Sequence, residues 1–272
     1  MACESDREYL SLQRIQAEEY RILCTAVDYF EKNGIGYSLG YGTLIGAARH
    51  KGFIPWDDDI DLIVPRDSYD ALLRQRDKFE FATGLRLEGL RGISLSLSPI
   101  AKVVNPAISV LERGGTEGGH LWIDLFPLDG LPDDGEIVKK VCRRAKWLHY
   151  VFVAKTSPVS SAIGFKRKAA KALLKALYFA KSPEAICSRI GDLAKSYPLC
   201  EGRLTSNLTF SIASYGGRFR FTGIDQRLQF VDRKFAVING WEDYLSGIYG
   251  DYMSLPREED RVTHSVEAWI SE

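Results

Sequence analysis

The chain has 272 residues, 45% of them hydrophobic and 26% charged, enough for one large domain or two small ones, and a composition that excludes disordered and fibrous classes. Its 36 basic residues balance its 36 acidic ones, so no whole-molecule field draws it to nucleic acid or membrane, and any such role must rest on local asymmetry. Five widely spaced cysteines without a C-x-x-C pair argue against a disulfide framework or a zinc site, and a polar start with no apolar run near the roughly 18 residues of a membrane span sets the expectation of a cytoplasmic protein.

From Asp6 to Lys32, Leu10, Ile15, Leu23, Val27 and Phe30 recur near one face, which predicts a helix stopped by Asn33-Gly34. A short strand is expected over 35–42, a short helix over 43–49 and a second strand over 57–65, closed by Pro65. An amphipathic helix follows over 66–79, then weaker strands over 92–105 and 120–128, the latter ended by the turn cluster "DGLPDDG". Helix, strand, helix, strand, helix and strands make an α+β sheet domain. From Ile137 the chain turns mainly helical, so a soft boundary is expected near residue 135.

Charge is segregated beyond that boundary. Between Ile137 and Pro183 stand twelve Lys or Arg and no Asp or Glu; setting those twelve aside leaves 24 basic against 36 acidic residues elsewhere. Basic and apolar positions interleave as on amphipathic helices, which suits either solvated helix faces covering the sheet or peripheral contact with an anionic membrane. The segment lacks the regular aromatic interleaving of a single-strand nucleic-acid platform.

The stretch "YGTLIGAARHKGFIPWDDDIDLIVP", residues 41–65, carries the chemistry. If 57–65 is a strand, Asp57, Asp59 and Asp61 share one face while Asp58 and Ile60 point to the other. Carboxylates so crowded repel one another unless a divalent cation binds them, and Mg²⁺ or Mn²⁺ takes oxygen ligands together with substrate phosphates. The turn at Gly42 and Thr43, opening a helix, offers backbone N–H groups as a phosphate seat. A phosphate seat followed by a metal-binding strand is the minimal kit of a nucleotidyltransferase. Asp124, alone in the apolar run "HLWIDLFPL", is the expected third carboxylate, since a buried carboxylate needs a cation or donors. Asp129 is expected to be structural. Arg49, His50 and Lys51 could contact phosphate or balance the aspartates, Arg49 best through its planar fork and His50 alternatively a helix-end cap or hydrogen-bonding brace; Lys102 could reach phosphate or be an exposed edge lysine, and Trp56 could stack on the base or the donor's head group. Tyr37, Tyr41, Phe53, Trp56 and Trp122 are near enough in sequence to contribute to an aromatic cage, or simply to the core.

The block "YGTLIGAARHKGFIPWDDDIDLIVPRDSYDAL" resembles the signature of the LicD family, and "WIDLFPLDGLP" and "YLSGIYGDYMSLP" resemble its later motifs in family order. The resemblance implies a nucleotidyltransferase-type mixed β-sheet core with flanking helices over residues 1–135. It leaves a mainly helical C-terminal region over 136–272, packed on the core and binding the acceptor. It also implies transfer of a phospho-alcohol, phosphocholine from CDP-choline favoured, onto a cell-surface glycan or its lipid-linked precursor, with CMP released. Asp57, Asp59, Asp61 and Asp124 would hold one or two metal ions, with Asp124 also the candidate base. Two other readings share the motifs: transfer of a nucleoside monophosphate from an NTP to a nucleic acid, protein or small molecule, and a non-catalytic nucleotide- or glycan-binding module.

Overall fold

The computed structural model describes residues 8–89, 98–112, 116–161, 164–209, 218–261 and 266–270. Helix α1 (Leu12–Lys32) starts later than its apolar pattern, because the Ser11 side chain accepts from the Arg14 N–H and caps it there. It ends where expected, with Asn33 as cap and Gly34 in the left-handed conformation at φ +67°. Its buried stripe, Ile15, Glu19, Ile22, Leu23, Ala26, Val27 and Phe30, faces the sheet.

Strand β1 (Ser38–Leu39) is shorter than expected, since helix α2 (Tyr41–Ile45) begins two residues early and runs into a π-helical turn, Gly46–His50. Gly46 is required there: a Cβ would lie 2.4 Å from the Gly52 carbonyl oxygen. Strand β2 (Asp61–Pro65) also begins late, because a turn over Ile54–Asp57, closed by Asp57 N–H on Ile54 O, is followed by an irregular stretch to Ile60 before the ladder starts. The single helix expected over 66–79 is two, α3 (Arg66–Arg74) and α4 (Arg76–Thr83), broken at Gln75. After β3 (Arg86–Glu88) come the long strands β4 (Ala101–Glu112) and β5 (Thr116–Gly130). Part of the strand expected over 92–105 lies outside the described residues.

The second half supplies helices α5 (Gly135–Thr156), α6 (Phe165–Leu177), α7 (Pro183–Ala194) and α8 (Trp241–Tyr249), and strands β6 (Leu204–Ser206), β7 (Phe219–Arg220), β8 (Gln226–Phe230), β9 (Arg233–Val237) and β10 (Glu267–Ile270). Among the described residues the main sheet follows the order β1-β2-β5-β4-β10, with β3 also beside β4 and β6–β7 continuing from the end of β5. Strand β2 pairs parallel with β5, and the other pairs run antiparallel, so the sheet is mixed. The architecture is therefore α+β, with a mixed sheet, flanking helices and a largely helical C-terminal region, as expected. No helix of the described residues is long and apolar enough to cross a membrane.

Residues beyond the expected boundary return to the first half. Phe230, Phe235, Val237, Ile238, Tyr244, Leu245 and Ala268 join one core with α1, β2, β4 and β5, and β10 pairs with β4. Helices α5 and α7 form two smaller apolar clusters of their own, around Val138, Val141 and Ala145 and around Val151, Phe152 and Ile190.

A buried ion pair holds the end of β5. The Arg66 guanidinium at the start of α3 donates through Nε to Asp129 Oδ1 at 2.7 Å and through Nη2 to Thr209 Oγ1 at 3.1 Å, while the Leu208 N–H donates to Asp129 Oδ2 at 3.2 Å. Burial pushes the Asp129 carboxyl up to about 6 against the opposing pull of Arg66, leaving it ionised at neutral pH. Arg66→Met is expected to lower stability in urea titration by about 3–5 kcal/mol, because the carboxylate of Asp129 is stranded; combining it with Asp129→Leu should restore most of the loss.

Candidate active site

Parallel pairing of β2 and β5 sets Asp61 opposite Asp124, and the Asp124 N–H donates to the Ile60 carbonyl at 2.9 Å. The two carboxylates thus issue from adjacent strands at the same level of the sheet. Asp61 is anchored from below: its N–H donates to Thr43 Oγ1 at 2.8 Å. The Thr43 hydroxyl, buried, is therefore engaged in starting strand β2.

Asp57 and Asp59 lie in the irregular segment ahead of β2, half-buried, while Asp58 and Ile60 between and after them are buried. Gln16 Nε2 donates to the Asp57 carbonyl at 2.8 Å and fixes the turn. A Cβ on Gly42 would come within 2.9 Å of Asp57 Oδ2, so the glycine is what lets this carboxylate lie against the α2 backbone. Asp58 points away; its Oδ2 accepts from the Val266 N–H at 3.2 Å, tying the segment before β10 to the acidic turn.

Electrostatics shows how tightly the group is drawn together. Burial, then Asp59, Asp124 and Asp57, raise the Asp61 carboxyl well above the ordinary range, with Lys102 opposing. Asp124 Oδ2 accepts from Trp122 Nε1 at 3.0 Å, while its Oδ1, buried and without a hydrogen-bond partner, lies 3.7 Å from Lys102 Nζ. Lys102 sits directly across β4–β5 from Asp124, its ammonium 3.7 Å from the Trp122 ring centroid, so it is a fixed member of the site and not an edge lysine.

The other predicted residues have different surroundings. Arg49 donates through Nη1 to the carbonyls of Tyr252 and Ser254 at 2.8 and 3.0 Å, and through Nε to His50 Nε2 at 2.9 Å. It clamps the loop after α8, with His50 as the brace. Burial, followed by the Arg49 charge, lowers the His50 pKa and keeps the ring neutral, as an acceptor must be. The Trp56 ring lies under the Arg261 guanidinium, 4.4 Å from its centroid. Tyr37 hydrogen-bonds Glu31, Tyr41 packs on Phe126 and Phe53 on Phe230, so the five aromatics near the block are each engaged separately.

Two residues escaped the sequence reading. Glu19 of α1 is buried with Oε2 lacking a partner, and burial, then Asp59, Asp58, Asp57 and Asp61, push its pKa well up. Its signal was legible: a carboxylate four residues after Ile15 and four before Leu23, on the apolar stripe of a helix. Tyr249, at the end of α8, feels Asp61, Asp59 and Asp57, which raise its pKa after burial, although its side chain is partly exposed. Only the return of the C-terminal segment brings it here. Among the described residues no three His, Cys, Asp or Glu already converge as a metal cage.

The profile of the LicD/FKTN/FKRP nucleotidyltransferase domain matches residues 34–150, which contain all four aspartates. The lipopolysaccharide cholinephosphotransferase LicD of Haemophilus influenzae is 29% identical over 282 residues, covering 95% of this chain and 100% of that protein. An uncharacterized protein of Rickettsia typhi is 40% identical over 58 residues, 21% of this chain and 16% of its own length. One from Rickettsia prowazekii is 34% identical over 76 residues, 28% and 26% respectively.

Crowding of the acids has a stability consequence. The folded chain holds a proton on Asp61 over a range where the unfolded chain has released it, so stability without added cation falls as pH rises from the ordinary aspartate range through the raised folded value. Asp61→Asn should flatten that dependence and, at neutral pH, raise the unfolding free energy from urea titration by on the order of 1 kcal/mol.

Proposed function

From the premise that the chain belongs to the LicD family through residues 34–150, we propose that it transfers a phospho-alcohol from a CDP-activated donor to a hydroxyl of a glycan or its lipid-linked precursor, releasing CMP. Family membership brings a transferase role in general. The cargo favoured is phosphocholine, the group named for the Haemophilus influenzae relative.

The observation that carries the reading is the registration of Asp61 against Asp124, with the Asp57 carboxylate against Gly42 and the charges of Asp57 and Asp59 acting on Asp61. A divalent cation fits this chemistry. The donors are all hard carboxylate oxygens, Asp61 is held in a protonation state that a cation would reverse, and Asp124 Oδ1 is buried without a hydrogen bond. Asp59 and Asp61 would hold it, helped by Asp57 or Asp124. Once bound it neutralises charge on the donor's diphosphate and on departing CMP.

The chain's own groups then divide the remaining work. Asp124 would accept the proton of the attacking hydroxyl through Oδ1, which has the Lys102 ammonium 3.7 Å away. Gly42 and Thr43 lie in the first turn of α2 (Tyr41–Ile45), where N–H groups have no intrahelical partner and would suit a phosphate oxygen. Arg49 acts at one remove by holding the loop at 252–254, on the segment that carries Tyr249 to the acids.

Purified protein incubated with Mg²⁺ and a panel of CDP-alcohols should release CMP from one of them, slowly to water and faster with acceptor. Chelation and Asp59→Ala should each lower the rate by on the order of 10²-fold or more. Release of pyrophosphate from an NTP would overturn the phospho-alcohol reading. In the same assay Gly42→Ala is expected to reduce turnover about tenfold with little change in melting temperature, because the added methyl displaces the Asp57 carboxylate and not the core.

A further inference from the structure

Helix α6 is mounted the wrong way round. Its sequence is amphipathic, with Phe165, Ala169, Leu173 and Leu177 recurring every fourth residue along one ridge and Arg167, Lys171 and Lys175 along another. In an ordinary surface helix the apolar ridge turns inward. Here Lys171, Leu174, Lys175 and Tyr178 are the half-buried positions; Leu174 and Tyr178 touch the α5–α7 cluster, and Lys171 Nζ donates to Ser157 Oγ at 2.5 Å. Phe165, Leu173 and Leu177 are left exposed at 85%, 59% and 68%, and Phe179 just beyond at 82%. No residue of α6 is buried.

Three large apolar side chains on one ridge in water, with a fourth exposed just past the helix end, are a substantial penalty unless something apolar covers them. The charges around them decide what. Lys166, Arg167 and Lys168 follow Phe165, Lys181 comes two residues after Phe179, and residues 137–183 contain no carboxylate at all. A second copy of the chain would set two such basic faces against each other, since a two-fold contact is self-facing. An apolar ridge bordered by long cationic side chains matches the boundary of an anionic bilayer, where the ridge enters the acyl region and the ammonium groups reach phosphates.

We infer that α6 is a membrane-docking helix that lays Phe165, Leu173, Leu177 and Phe179 into the surface of an anionic bilayer. The docking face is separate from the acidic cluster, so it stands whether or not the proposed reaction does. It brings the protein to a surface from which a lipid-borne substrate can be taken.

The test is flotation of the full chain with vesicles of phosphatidylcholine alone or with about 30% phosphatidylglycerol, at low and high salt. Binding is expected to the anionic vesicles, weakened by salt. Phe165→Ser with Leu173→Ser should weaken it on the order of 30-fold or more, the two side chains being exposed so that the melting temperature holds. Lys166→Glu with Lys168→Glu should abolish the preference for anionic lipid. Failure to float with anionic vesicles, flotation unaffected by the serine pair, or a stable dimer in light scattering that the serine pair dissolves would each overturn the inference. CMP release from a soluble donor by the serine pair separates loss of docking from loss of catalysis.

Discussion

Repulsion among Asp57, Asp59, Asp61 and Asp124 is the constraint around which the rest of this fold is arranged. A buried Asp61 beside three half-buried carboxylates opposes folding, and the chain holds it there with backbone it cannot easily rearrange. The β2–β5 pairing fixes Asp61 against Asp124, Thr43 seats the Asp61 N–H, Gln16 holds the Asp57 turn and Val266 takes Asp58 out of the group. Each of these restraints comes from a different part of the chain. Strain of this kind is tolerable only because the surrounding core, from α1 through the last strand, is continuous.

That view also explains why the middle of the chain is built differently. Helices α5 and α7 carry their own small clusters and do not add apolar residues to the sheet's core. Released from a packing duty toward the acids, this region can concentrate positive charge and leave an apolar ridge in solvent. Acidic chemistry and basic surface are thus kept apart within one molecule whose charges cancel overall.

Much of this was legible before any coordinates. The alternation of helix and strand, the stop at Asn33-Gly34 and the chemical meaning of "DDDID" followed from local pattern, because capping and periodicity act over a few residues. What local pattern could not supply was the ladder. Nothing in Asp57–Asp59 says that it stands outside the ladder, so β2 looked longer than it is. Thr43 looked free for a ligand because its partner, the Asp61 N–H, is 18 positions away. Arg49 and Trp56 were read by their chemistry alone, and only the return of residues 252–261 shows that carbonyls and the Arg261 guanidinium already meet them.

The bonds that close the site span great stretches of chain: 203 positions from Arg49 to Tyr252 and 208 from Asp58 to Val266. Contacts of such separation are made late in folding, after the entropy of the intervening loop has been reduced by local structure. Arg49 and Asp58 are therefore synthesised 203 and 208 residues before the groups that fix them, and in a growing chain both must wait for the C-terminal segment.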